Sequence, residues 1–276
     1  MSSIIAPTSS DIMPTSNDLL YFETHDHSVN NEWILLVHGA GGSTRTWKRQ
    51  VEELGAHYNL LIIDLPGHGK NSDYSNQHPI YSFHFMAEKI WEVIDHLKIS
   101  KLHIIGVSLG TVICLQMRIL QPDRILSVIM PGAIVKLNTK LKILANFSLG
   151  LAKIIGYHNF YNLSAHIMMP RSNHKKSRDT FIKESKVITI NEFRKWTALY
   201  YNLNKTLVDF FNTNSNIPQL LIMGSQDHLF LTPARDYSIQ HPNTELSVVP
   251  DCGHVVSIER AQQFNMICLQ FLKSLS

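Results

Sequence analysis

The sequence predicts an α/β fold, a mostly parallel twisted sheet with helices on both faces, carrying a helical insertion. Three observations lead there. Short apolar runs of strand length alternate with longer segments whose apolar residues recur at i, i+3, i+4 and i+7. The short runs are continuously apolar, as in strands buried on both faces. Between residues 135 and 212 the alternation stops, leaving helical stretches and no convincing buried strand. The expected organisation is a flexible segment over 1–17, the first part of the core over 18–134, a helical insertion over 135–212 and the second part of the core over 213–276.

Taken in order, LLYFETH within 18–25 alternates and reads as a strand, and WILLV at 33–37 reads as a buried one. HGAGGST follows as a loop, 47–54 is helical in pattern, and 60–63 is a buried strand ending at the loop DLPGHGK. Residues 82–97 place Phe83, Met86, Ala87, Ile90, Val93, Ile94 and Leu97 on one helical stripe. A strand over 102–107, a helix over 109–120 stopping before Pro122, and a strand over 125–130 complete the first part. After the insertion come buried strands at 219–223 and 245–249, a helix from about 232 between them, and a last helix over 256–272.

The chain has 276 residues, 44% hydrophobic and 17% charged, which is ordinary globular composition for one core with an insertion. Cys114, Cys252 and Cys268 have neither CxxC nor metal-ligand spacing and read as structural thiols of a reducing compartment, with Cys252 also a candidate modification site beside His254. The first eighteen residues lack the basic and apolar regions of a secretory signal, so cytoplasm is the default. No run reaches the ~18 to 20 apolar residues that span a bilayer, and 141–157 is interrupted by polar residues and glycines. A net charge of +3 without a nucleic-acid motif argues against nucleic-acid partners. Residues 136–195 hold 12 Lys and Arg against 3 Asp and Glu, a net +9 that leaves −6 elsewhere. This charge reads as a solvated outer face without membrane contact, attraction to anionic substrates or surfaces being the alternative; Lys175, Lys176 and Arg178 read as a loop tip.

Gly106-Val-Ser108-Leu-Gly110 lies between a strand and a helix, the context in which G-x-S-x-G marks a nucleophile elbow. So tight a turn strains the serine, excludes larger flanking residues and aims the helix's positive end at the site. A serine hydroxyl needs a base, and the base needs an acid to orient it. Asp227 in GSQDH and His254 in DCGH each follow an apolar strand, so Ser108, Asp227 and His254 converge at strand ends, where open α/β sheets bind ligands. Asp251 and His228 are competitors, but neither supplies a third strand end. The oxyanion would be met by backbone amides, with Leu109 after the nucleophile and Ala40 in the loop containing Gly39 as candidates. HGAGG lacks the spacing of phosphate-binding loops.

HGAGGS at 38–43, DLPGHGKNS at 64–72, GVSLG at 106–110, GSQD at 224–227 and CGH at 252–254 together resemble the α/β-hydrolase superfamily, in its esterase-like branch with a helical cap. The resemblance covers about residues 18–134 and 213–276. It implies an oxyanion hole from the amides of Ala40 and Leu109, and a cap inserted after the family's sixth strand. Branches with an aspartate nucleophile, such as haloalkane dehalogenases and epoxide hydrolases, do not fit, because serine stands at that position.

Most apolar residues of the insertion hold it together; Met168, Met169 and Trp196 are candidates for an apolar wall along the substrate. The expected function is hydrolysis of a carboxylic ester or thioester of a small-molecule substrate through an acyl-serine intermediate, with no cofactor and no metal. Acyl transfer or carbon–carbon hydrolysis would share the machinery, and a slow-turnover ligand sensor is the reading from another class.

Overall fold

The computed structural model of the protein describes residues 19–27, 32–72, 74, 80–137, 139, 141–143, 151 and 154–275. The segment read as flexible, 1–17, lies outside the described residues, as does Phe147 of the insertion.

Among the described residues seven strands form one sheet: β1 (Phe22–His25), β2 (Trp33–Val37), β3 (Asn59–Ile63), β4 (Leu102–Gly106), β5 (Ile125–Pro131), β6 (Gln219–Gly224) and β7 (Thr244–Val249), in the order β1-β3-β2-β4-β5-β6-β7. Only β1 runs antiparallel, pairing Phe22 with Ile63; every other pairing is parallel.

Side chains alternate across each strand, so an all-apolar run serves two layers at once. On β2, Leu35 and Val37 enter one core with α2 (Phe83–His96) and α3 (Leu109–Leu120), while Ile34 and Leu36 enter the other with Leu54 of α1 (Lys48–Gly55). Leu61 and Ile63 of β3 divide from Leu60 and Ile62 in the same way. Each such side chain, fully buried, contributes about 1.5–3 kcal/mol relative to an exposed one. The start of α2 is set by Ser82, whose hydroxyl accepts the Phe85 amide at 3.0 Å.

Two expectations about the last elements are corrected. β7 is only partly buried, with Glu245 exposed, because it is an edge strand with a neighbour on one side alone. The last helix is two: α8 (Val256–Glu259) and α9 (Ala261–Lys273) are separated at Arg260, whose backbone leaves the helical region (φ −132°, ψ 53°) while its guanidinium binds the Asp251 carbonyl at 2.8 Å.

Between β5 and β6 the described residues form no strand. They contain α4 (Tyr157–Met168), α5 (Lys175–Glu184) and α6 (Ile190–Asn212), followed after β6 by α7 (Leu231–Gln240). Lys175, Lys176 and Arg178 are therefore the start of a helix and not a loop tip. The fully buried positions of α5 are Ser177 and Glu184, which are polar and satisfied by hydrogen bonds, so this helix gives no apolar stripe to read. No helix among the described residues is long and apolar enough to cross a membrane.

Candidate active site

Ser108 stands between β4 and α3 with φ 54° and ψ −116°, a conformation that L-residues rarely adopt. Its neighbours must be small. A Cβ on Gly106 would lie 2.5 Å from both the Cys114 sulfur and the Gly110 carbonyl, and a Cβ on Gly110 would lie 2.6 Å from the Val37 carbonyl. The turn therefore presses α3 against β2 and lifts the serine hydroxyl clear.

Loops after β6 and β7 bring up the other two residues. His254 Nδ1 lies 2.8 Å from Asp227 Oδ2, and His254 Nε2 lies 2.9 Å from Ser108 Oγ. Burial works to raise the Asp227 carboxyl, but the His254 ring and the amides of Phe230 (3.1 Å) and Leu229 (3.3 Å) outweigh it and hold Asp227 below the usual carboxylate range. An ionised carboxylate can only accept, so Nδ1 carries the imidazole proton and Nε2 is left to accept from the serine hydroxyl. The Phe230 ring lies 5.0 Å from that of His254. The competitors stand apart: His228 is exposed, and the exposed Asp251 receives Gln226 Nε2 at 3.3 Å.

The amides of Ala40 and Leu109 donate no hydrogen bond within the protein among the described residues, although the neighbouring amides of Gly41, Gly42, Gly110 and Thr111 all do. Gly39 closes against the elbow, since a Cβ there would lie 2.9 Å from the Val107 carbonyl and 3.1 Å from Ser108 Cβ.

Two buried histidines that motif reading left without a role fix this loop. His38 donates from Nδ1 to the Gly39 carbonyl (2.8 Å) and accepts the Leu65 amide at Nε2 (3.0 Å). His68 donates from Nδ1 to the Pro66 carbonyl (3.1 Å) and accepts the Gly41 amide at Nε2 (3.0 Å). Each must be neutral to do both. Burial lowers His38 to about 4, against a smaller raising effect of the Gly39 carbonyl; burial and then the neighbouring His38 lower His68 to about 3. Asp64 completes the tie by accepting the amides of Thr44 (2.6 Å) and Lys70 (2.8 Å).

The inserted helices are bonded to the same loops. Glu184 of α5 takes the Ser43 hydroxyl at 2.7 Å and Arg45 Nη2 at 2.8 Å. Ser177 donates to Glu259 Oε1 (2.6 Å), whose Oε2 accepts the Gly253 amide (2.6 Å). His174 is fully buried and meets Gln226 Oε1 at 2.8 Å, beside Asp227 in sequence. Cys252, the candidate modification site, is instead fully enclosed, and burial pushes its thiol up.

Among the described residues one cavity reaches Ser108 and His254, and a second, which holds none of the three triad residues, meets it at Met168. One, of about 50 Å³, contains Ser108, His254, Gly39 to Gly42, Met169 and Phe181 in its wall. The other, of about 190 Å³, is an apolar chamber formed by Ile134, Leu137, Ile167, Leu203, Leu229 and Phe230 among others. Met168 lines both and Met169 the smaller. Trp196 lines neither: its indole donates to the Pro66 carbonyl at 3.0 Å and stands edge-on to His68 at 5.0 Å. An amphipathic helix offers the same pattern for a wall residue and for a loop support.

Comparison with known proteins agrees with this architecture. The chain is 24% identical over 274 residues to a putative 2-succinyl-6-hydroxy-2,4-cyclohexadiene-1-carboxylate synthase of Bacillus subtilis (strain 168), covering 95% of this chain and 98% of that protein. It is 25% identical over 252 residues to the dihydrolipoyllysine-residue acetyltransferase component of the acetoin cleaving system of Pseudomonas putida, covering 87% of this chain and 63%, under two thirds, of that one. The crystal structure of the enol-lactonase from Burkholderia xenovorans LB400 superposes with a TM-score of 0.75 at 19% identity, covering 92% of this chain and 96% of that one. The sequence profile of the family described as alpha/beta hydrolase fold matches residues 32–261, and the chain belongs to that family.

Proposed function

We propose that the protein is a serine hydrolase that cleaves a carboxylic ester or thioester with a small or medium apolar acyl group through an acyl-serine intermediate. The observation that carries this reading is the continuous line Ser108, His254, Asp227, with contacts of 2.9 and 2.8 Å. His254 Nε2 takes the Ser108 proton as Oγ attacks the carbonyl carbon, and Asp227 stabilises the imidazolium. The oxyanion receives the amides of Ala40 and Leu109, which have no other acceptor among the described residues. His254 returns the proton to the leaving alcohol or thiol. Water then attacks the acyl-serine, giving its proton to His254, which passes it back to Oγ.

The cap formed by the insertion supports the choice of acyl group. Its chamber of about 190 Å³ exceeds the ~150 Å³ apolar cavities that hold benzene. Acyl transfer is the second reading, favoured by the likeness to the acetyltransferase component of Pseudomonas putida; an alcohol or thiol would then replace water in the second step.

Labelling with a fluorophosphonate and turnover of p-nitrophenyl acetate, butyrate and octanoate, in the parent and in Ser108→Ala, test the proposal. Labelling and repeated turnover confined to the parent are expected. Labelling after which product is retained and turnover stops favours a sensor, and an unlabelled parent overturns the reading.

A further inference from the structure

Lys136 and Lys142 line a hollow of about 380 Å³ together with Asn204, Asn212 and Gln240, and no Asp or Glu belongs to its lining among the described residues. Neither lysine is ion-paired among the described residues. Lys136 instead rests its ammonium over the Phe211 ring at 4.2 Å. Two ammoniums gathered in one recess without a carboxylate, with amides as the other polar side chains and Leu137, Leu207, Val208 and Phe211 as its apolar wall, form a site for an anion.

The hollow adjoins the apolar chamber beside the triad. Leu137 lines both, and Tyr200, a chamber residue, donates its hydroxyl to the Lys142 carbonyl at 3.2 Å. Helix α6 runs past both, with Leu203 at the chamber and Val208 at the hollow. At 1.5 Å per residue the two positions lie about 7 to 8 Å apart along the axis. Outward from His254 the order is Phe230 and Met168, the chamber, Leu137 and the lysines.

We propose that chamber and hollow are two subsites for one substrate, an ester whose acyl chain ends in a carboxylate. The chain lies in the chamber, Leu137 forms the constriction, and Lys136 and Lys142 hold the distal anion. The position of the ester end rests on the acyl-serine reading above. The basic composition of the insertion thereby acquires a local role at two of its lysines.

Binding to the Ser108→Ala protein, which keeps the cavities without turning over, tests this by calorimetry. The monomethyl esters of glutarate, adipate, suberate and sebacate are compared with methyl pentanoate, hexanoate, octanoate and decanoate. The half-ester long enough to reach the lysines is expected to bind about tenfold more tightly than its neutral counterpart, a preference that shrinks as salt is raised. Replacing both lysines by methionine abolishes the preference, and Lys142→Glu, on a partly exposed side chain, removes it as well by leaving the pair without net charge. Equal binding of charged and neutral esters, or a preference that survives both sets of substitutions, overturns the proposal. Fluorophosphonate labelling of the parent keeps the two readings apart. An unlabelled protein with the anion preference loses the hydrolase reading and keeps this site; a labelled protein without the preference does the reverse.

Discussion

Glu259 holds the amide of Gly253, the residue before His254, at 2.6 Å, and with its other carboxylate oxygen takes the hydroxyl of Ser177 in the inserted helix α5. The loop that delivers the imidazole is thus fastened to the insertion as well as to the sheet. Glu259 is expected to act as a positioning residue. In Glu259→Gln one oxygen remains for two donors, and an amide NH₂ faces one of them. A hydrogen bond to a charged group is worth about 1.5–3 kcal/mol, and the same rise in barrier lowers kcat about ten- to a hundredfold. Steady-state kinetics on p-nitrophenyl acetate should show that fall in kcat with KM little changed. Lower thermal stability with kcat intact would make the contact structural only.

Asp227 acts on the same imidazole from its other nitrogen. An asparagine there no longer requires the tautomer with a proton on Nδ1, and Nε2 loses its ability to accept from Ser108 in part of the population. Asp227→Asn is expected to lose on the order of 10⁴ in kcat while the protein stays folded, since the amides of Leu229 and Phe230 can still bond the Asn oxygen. Circular dichroism and single-turnover acylation measure the two parts. A loss smaller than about tenfold would remove Asp227 from the proposed triad.

The neutral histidines His38 and His68 make the loop around Ala40 sensitive to acid. Their folded values, about 4 and about 3, lie below the ordinary 6.5, so the neutral form is favoured in the fold. The stability this contributes is fully present above the unfolded value and is lost as pH falls through the folded ones. Asp227, also lowered, follows the same sign further into acid; Asp64, raised by burial, opposes it, its contribution being lost as pH rises. His103, lowered by burial to about 4, adds to the same effect, so urea unfolding between pH ~7.5 and ~5 should show stability falling by several kcal/mol, with about three protons taken up on unfolding. His68→Gln, which retains an acceptor for the Gly41 amide, should flatten that slope. A slope that His68→Gln leaves unchanged would assign the proton uptake elsewhere.

Ser108, Asp227 and His254 were legible in the sequence as candidates because each follows an apolar run of strand length, and because the glycines at 106 and 110 mark a turn that admits nothing larger. The supports were not. Ser177 and Glu259 are 82 residues apart, and Ser43 and Glu184 are 141 apart; a serine and a glutamate have no periodicity that announces a partner at such distance. The polar buried face of α5 hid it for the same reason. His38 and His68 stood inside the quoted motifs, but their role depends on which backbone amides the fold places opposite Nε2.

The two methionines and Trp196 separate a substrate wall from a loop support. Met168 lines both the triad cavity and the apolar chamber, so Met168→Ala joins and enlarges them. It is expected to shift chain-length preference among p-nitrophenyl esters toward longer acyl groups, and Leu203→Trp, which fills the chamber, toward acetate. Trp196 touches His68 and the Pro66 carbonyl and lines neither cavity. Trp196→Ala should therefore lower stability by about 3–5 kcal/mol, as loss of a buried aromatic does, while chain-length preference in the folded protein stays as it was. Acyl-chain profiles with thermal melts distinguish these outcomes. A Trp196→Ala profile shifted like that of Met168→Ala would return Trp196 to the substrate wall.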